Sequence, residues 1–259
     1  MQTNLTKMLD LYLTTLIYFL AFGFIGWVLS LFLKNVTHVD SMWALFPLLG
    51  SLICIQAPPL NIMQTLFFCL IFLWSLRLFI YLTKRNWGKQ EDSRYQVIRK
   101  NNEPFFKYKS LYIIFGLQAL MASVLMLSII PIFINGIGIN TLSIMGLFIA
   151  FFGLAYESIA DWQLTNFLKN KNGAVMDQGL WRYSRHPNYF GEFLVWWGIY
   201  LISFNSIFSF TLLSPILMSL LLLKVSGAEL LESTIVHRRK GYALYIKRTS
   251  MFFPWFKKR

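Results

Sequence analysis

Gly179-Leu-Trp-Arg-Tyr-Ser-Arg-His-Pro-Asn-Tyr-Phe-Gly-Glu192 sets two arginines, a histidine, an asparagine and a glutamate into one turn-rich segment of an otherwise apolar chain. Lipid-facing chain does not tolerate such a cluster, since each unpaired charge or amide at membrane depth is costly. The segment therefore belongs at a membrane–water boundary, where a polar ligand can satisfy it. The whole chain of 259 residues is 56% hydrophobic, 18% aromatic and only 14% charged, with a mean hydropathy of +0.54. Soluble domains carry about 25% charged residues. The deficit points to an all-α, polytopic membrane protein forming a single membrane domain over 1–259.

Crossing the hydrocarbon core takes about 20 apolar residues. Seven stretches approach this: 11–33, 42–57, 62–82, 111–134, 142–165, 190–204 and 207–225. Pro58-Pro59, Asn135-Gly136-Ile-Gly138 and Asn205-Ser206 break the runs. The first run is too long for a signal-peptide core and reads as a retained helix. Basic residues gather in the 83–110 loop (Lys84, Arg85, Lys89, Arg94, Arg99, Lys100, Lys107, Lys109), in 166–189 (Lys169, Lys171, Arg182, Arg185) and in the tail from Arg238, Arg239 and Lys240 to Lys258 and Arg259. The turns between the other runs hold none. Seven spans put all three basic segments on one side, cytoplasmic by the positive-inside rule, with the amino terminus outside. The net charge of +13 then belongs to cytoplasmic loops and not to a nucleic-acid surface. Cys54 and Cys69 sit in apolar runs as packing residues, and His38, His186 and His237 lack metal-ligand spacing, so no metal site is expected.

Glu157 and Asp161 are spaced i, i+4 and share one face of a membrane helix near its cytoplasmic end. They need partners, either Arg182 and Arg185 in a structural fastening or the hydroxyls and amides of a ligand. Arg77 lies inside the third apolar run with Tyr81 at i+4. It either snorkels to the interface or reaches an anionic cofactor. Arg182, Arg185 and His186 carry the multi-donor groups suited to phosphate or carboxylate. Neither a dinucleotide fingerprint, nor a phosphate-binding loop, nor a nucleophile elbow is present. A cofactor would have to sit in a membrane-embedded pocket.

Three motifs carry a resemblance. They are Glu157-x-x-x-Asp161, the run from Gly179 to Glu192, and Tyr245-x-x-Arg248-Thr-Ser-x-Phe-x-Pro254. Together they resemble the carboxyl-terminal reductase domain of the steroid 5-alpha-reductase-like membrane proteins, over 150–259, and most closely its bacterial DUF1295 branch. Arg77-x-x-x-Tyr81 and Glu91-Asp92-x-Arg94-Tyr95 extend the similarity upstream. The resemblance implies seven helices enclosing NADP(H) and reduction of a carbon–carbon double bond conjugated to a ketone in a hydrophobic, steroid- or lipid-like substrate. It also implies an active site facing the cytoplasm at a bacterial inner membrane. By position, Asn188 and Glu192 match cofactor-holding residues, Glu157 and Asp161 match another such pair, and Arg77 matches an arginine of the same pocket. Tyr81, Arg182, Arg185, His186, Tyr189, Tyr245 and Arg248 complete the expected cofactor set.

The chain departs from that pattern at the catalytic positions. The glutamate and tyrosine that polarise the ketone in the steroid enzymes fall on Asp40 and Trp74, and Glu157 replaces an asparagine. Asp40 would have to carry a proton to donate, which demands strong desolvation. Its other reading is a helix amino-terminal cap. The Arg-His-Pro-x-Tyr turn also resembles the isoprenylcysteine carboxyl methyltransferases, which use S-adenosylmethionine, with Glu229 and Glu232 as their acidic stretch. A non-catalytic lipid-binding protein is the third alternative.

Overall fold

The structure, a computed structural model, describes residues 4–55, 59–170, 174–204, 209–225, 232, 239 and 241–257. Pro58, Lys171, Asn205, Ser206, Glu229, His237, Arg238, Lys240, Lys258 and Arg259 lie outside the described residues. The fold is all-α. Its helices are α1 (Asn4–Leu33), α2 (Val39–Cys54), α3 (Ile62–Asn86), α4 (Ser93–Asn102), α5 (Phe106–Ser110), α6 (Leu117–Asn135), α7 (Thr141–Asn170), α8 (Pro187–Ser203), α9 (Leu213–Leu220) and α10 (Tyr242–Arg248). A π-helical stretch, Leu111–Gly116, joins α5 to α6 as one rod.

Apart from Ile55 and Phe204, the described residues of every apolar stretch lie on helices, and several helices run past the stretch that marks them. Helix α1 starts at Asn4 and α7 continues to Asn170, because a helix keeps its backbone hydrogen bonds wherever its polar end meets water. Among the described residues, four helices are long and apolar enough to cross a membrane: Asn4–Leu33, Ile62–Asn86, Phe106–Asn135 and Thr141–Lys169. Each carries large apolar side chains on an exposed face, as with Phe32 at 80% and Phe148 at 73% exposure. Such faces are stable against lipid and not against water. The chain is an integral, multi-pass membrane protein.

The chain divides into two compact units, Met1–Ile139 with Ser206–Leu213, and Asn140–Asn205 with Ser214–Arg259. In the first, α1 and α2 pack on α6, and α2 packs on α3. Its core is aromatic, with Phe19 and Phe46 at 4.8 Å between ring centroids and Phe67, Trp74 and Phe115 fully buried. The second unit is organised on α7 and α8, which meet through glycines two turns apart on each helix. A Cβ on Gly146 would lie 2.7 Å from the Gly198 carbonyl oxygen, and one on Gly153 would lie 2.6 Å from that of Gly191. Close backbone approach of this kind drives helix association where lipid removes the hydrophobic force.

Candidate functional site

The 179–192 run folds as a 3-10 turn, Gly179–Arg182, followed by α8. Gly179 takes φ +57°, and a Cβ there would come within 2.5 Å of the Gln163 amide, so any other residue is strained and must displace Gln163. Gln163 holds the turn by accepting from the Leu180 N–H at 3.0 Å. The Trp181 indole N–H donates to the Ala160 carbonyl of α7 at 3.0 Å. Pro187 opens α8, where its fixed φ suits a first helical residue. Asn188 and Glu192 thus stand on the first turns of α8, beside α7.

There the Asn188 amide donates to Asp161 Oδ1 at 3.2 Å. Glu157, Asp161 and Glu192 are all buried. The α7–α8 pairing therefore collects three buried carboxylates and an amide. Such a set suits ligand hydroxyls and amides and repels phosphate. His186 stacks on Tyr189, 5.5 Å between centroids and 10° between planes.

Arg185, 8% exposed, is fully engaged. It donates bidentately to Glu232 at 2.6 and 2.8 Å and to the carbonyls of Ile246 and Thr249, at the end of α10, at 2.9 and 2.7 Å. These bonds fasten Glu232 and α10 to the turn. His186 Nε2 lies 3.0 Å from the same Glu232 Oε1. Burial alone would push the Glu232 carboxyl up, but hydrogen bonds from His186 and Arg185, with their charge, hold it below the usual glutamate value. A carboxylate only accepts, so the imidazole proton sits on Nε2. Tyr245 donates to the carbonyls of Trp181 and, at 3.2 Å, Ser184, and burial pushes its phenol up. The tail is sewn on by Arg185 N–H to the Ser250 carbonyl at 2.9 Å and Ser184 Oγ to the Phe252 carbonyl at 2.7 Å. Arg182 and Arg248 are exposed.

The other candidates lie in the first unit. Trp74, Arg77 and Tyr81 follow one another along α3, Trp74 being fully buried. Asp40 does not cap α2: the cap position is His38, which makes no side-chain capping bond, and Asp40 is in the first turn. Its carboxylate accepts from Arg94 and from the Tyr95 hydroxyl, both at 2.6 Å, with Arg85 3.8 Å away. Burial, reinforced by the negative Asp40, pushes the Tyr95 phenol well up. Glu91 accepts from Arg99 twice at 2.8 Å and from the Val36 N–H at 3.0 Å. Asp40 thus fastens the start of α2 to α4. Replacing it with alanine leaves the Tyr95 hydroxyl without its acceptor and Arg94 with Asp92 alone, and should destabilise the protein by about 1.5–3 kcal/mol, measured by unfolding in detergent. Lost turnover at unchanged stability would place Asp40 in the chemistry.

The DUF1295 family model, described as a protein of unknown function, matches residues 26–249. The chain belongs to the DUF1295 family. An uncharacterized protein of Schizosaccharomyces pombe is 27% identical over 266 residues, covering 90% of this chain and 76% of that protein. No solved structure matches the chain. The DUF1295 match takes in both polar clusters, from Asp40 to Arg248. Sequence reasoning left Glu232 to the methyltransferase alternative alone. The signal was present: beyond Glu192 the acids are Glu229 and Glu232, and a buried arginine requires one.

Proposed function

We propose that this protein is a membrane-embedded, NADPH-dependent reductase of an activated carbon–carbon double bond in a hydrophobic, steroid- or lipid-like substrate. The observation that carries the reading is the Asn188–Asp161 bridge with Glu157 and Glu192 buried beside it, at the positions where the steroid 5-alpha-reductase-like proteins hold their dinucleotide. The donor set fits its sugar and carboxamide: carboxylates accept from ribose hydroxyls and from an amide N–H. The exposed Arg182 and Arg248 suit its phosphates. NADPH, when bound, supplies the hydride. The reaction adds hydride at the carbon beta to a ketone and a proton at the alpha carbon. The ketone oxygen gains charge on the way and needs a donor. His186, oriented by Glu232, contributes a fixed imidazole to the same cluster.

We read the chain as crossing the membrane seven times, with the amino terminus outside and this cluster at the cytoplasmic face. Its support is the distribution of basic residues over the 83–110, 166–189 and tail segments.

Purified protein titrated in parallel with NADPH, NADH and S-adenosylmethionine tests the function, with NADPH expected to bind. Asn188→Ala and Glu192→Gln should each weaken it by about one to two decades while leaving the fold intact. Unchanged affinity in both places the site elsewhere. One observation favours a second reading: Glu232 meets Arg185 and His186 of the Arg-His-Pro turn, as a methyltransferase's acidic stretch would. S-adenosylmethionine binding without nicotinamide binding would establish that reading, and binding of neither would leave a non-catalytic lipid-binding protein.

A further inference from the structure

At the end of the first unit away from the 83–110 segment, four helix ends enclose a cleft of about 570 Å³. They are the start of α1, the last turn of α2, the start of α3 and the last turn of α6. The volume lies within the range of small-ligand sites. Its rim is fixed by side chains that bridge the helices. Asn61 and Gln64 form a capping box at the start of α3. The buried Gln64 also donates to the Ile132 carbonyl of α6 at 3.0 Å, and Asn61 donates to the Ile137 carbonyl at 3.2 Å.

Among the described residues the charges on the lining are Lys7 and Asp10, three residues apart and so on one face of α1. Both precede the apolar run that begins at Leu11. They therefore stand where bilayer headgroups lie, with Leu11 and Phe133 continuing the lining on the apolar side. The carbonyl ends of α2 and α6 add a preference for positive charge near Asp10. One cation, one anion and an apolar wall at that depth match a ligand carrying a phosphate, an ammonium and acyl chains.

The geometry points to a binding site for a zwitterionic aminophospholipid, its phosphate on Lys7 and its primary ammonium on Asp10. A primary ammonium presents three N–H donors to a carboxylate, as lysine does. A quaternary ammonium presents none and is held by aromatic cages, whereas among the described residues the lining holds one aromatic side chain, Phe133. The site is independent of the chemistry proposed for the second unit.

The test is lipid retention by the full chain, purified from nanodiscs of equimolar phosphatidylethanolamine, phosphatidylglycerol and phosphatidylcholine and read by native mass spectrometry. Phosphatidylethanolamine should be retained over both others. Asp10→Asn should cut its advantage over phosphatidylglycerol about tenfold or more, and Lys7→Gln should lower retention of both. Lys7 and Asp10 are exposed, so both variants should keep the wild-type melting temperature. If either unfolds, the charge-keeping Lys7→Arg and Asp10→Glu should preserve the selection. Equal retention of the three lipids, or a preference that survives Asp10→Asn, overturns the proposal. Binding of soluble phosphoethanolamine as tight as that of the lipid overturns the lipid assignment.

Discussion

Glu232→Ala should destabilise the protein by about 3–5 kcal/mol, the cost of stranding one member of a buried ion pair. Arg185 would keep its charge at 8% exposure, facing, among the described residues, the carbonyls of Ile246 and Thr249. The double variant Arg185→Met with Glu232→Leu should recover most of the loss, because matched apolar groups replace a buried pair at little cost. Equilibrium unfolding in detergent checks both. A single variant within about 1 kcal/mol of wild type, below that range, would mean that the pair does not hold α10. The pH dependence has a definite sign. The folded-state carboxyl of Glu232 is held below the usual glutamate value by His186 and Arg185, against the opposing effect of burial. Its contribution is therefore complete above the unfolded value and is lost as pH falls through the folded one. Glu232→Gln should flatten that acid limb and leave stability independent of this group at neutral pH and above.

The second large effect is expected at Gly191. A Cβ there would stand 2.5 Å from the Glu157 backbone nitrogen and 2.8 Å from its Cα. Backbone cannot rotate aside as a side chain can, so α7 and α8 must separate. Gly191→Val should cost about 3 kcal/mol or more, the upper part of the overpacking range. The same displacement pulls Asn188 away from Asp161, so ligand affinity should fall further than the Asn188→Ala variant alone predicts. Gly153→Val meets the Gly191 carbonyl at 2.6 Å and should behave alike. Wild-type unfolding in both variants would show that the helices do not pack at this distance.

Hydropathy is a local property, so the membrane class, the helical stretches and the exceptional character of 179–192 were legible in the residues alone. The spacing of Glu157 and Asp161 placed them on one face of α7, and Pro187 marked the start of α8. Partners were a different matter, because nothing local says which distant group will arrive. Glu232 reaches His186 across 46 positions, and Arg94 and Tyr95 reach Asp40 across 54 and 55. Asp40 reads as a cap or a proton donor by itself and becomes a fastening only beside a guanidinium and a phenol. Arg185 reads in sequence as a phosphate ligand, and its partners Glu232 and the end of α10 are supplied only by the fold. The glycines of α7 and α8 look like isolated small residues in sequence, and the facing backbone gives them their meaning. The cleft beside Lys7 and Asp10 exists because four helix ends, far apart in the chain, converge on one place. Composition and periodicity determined what each segment is, and tertiary packing decided what each charged side chain does.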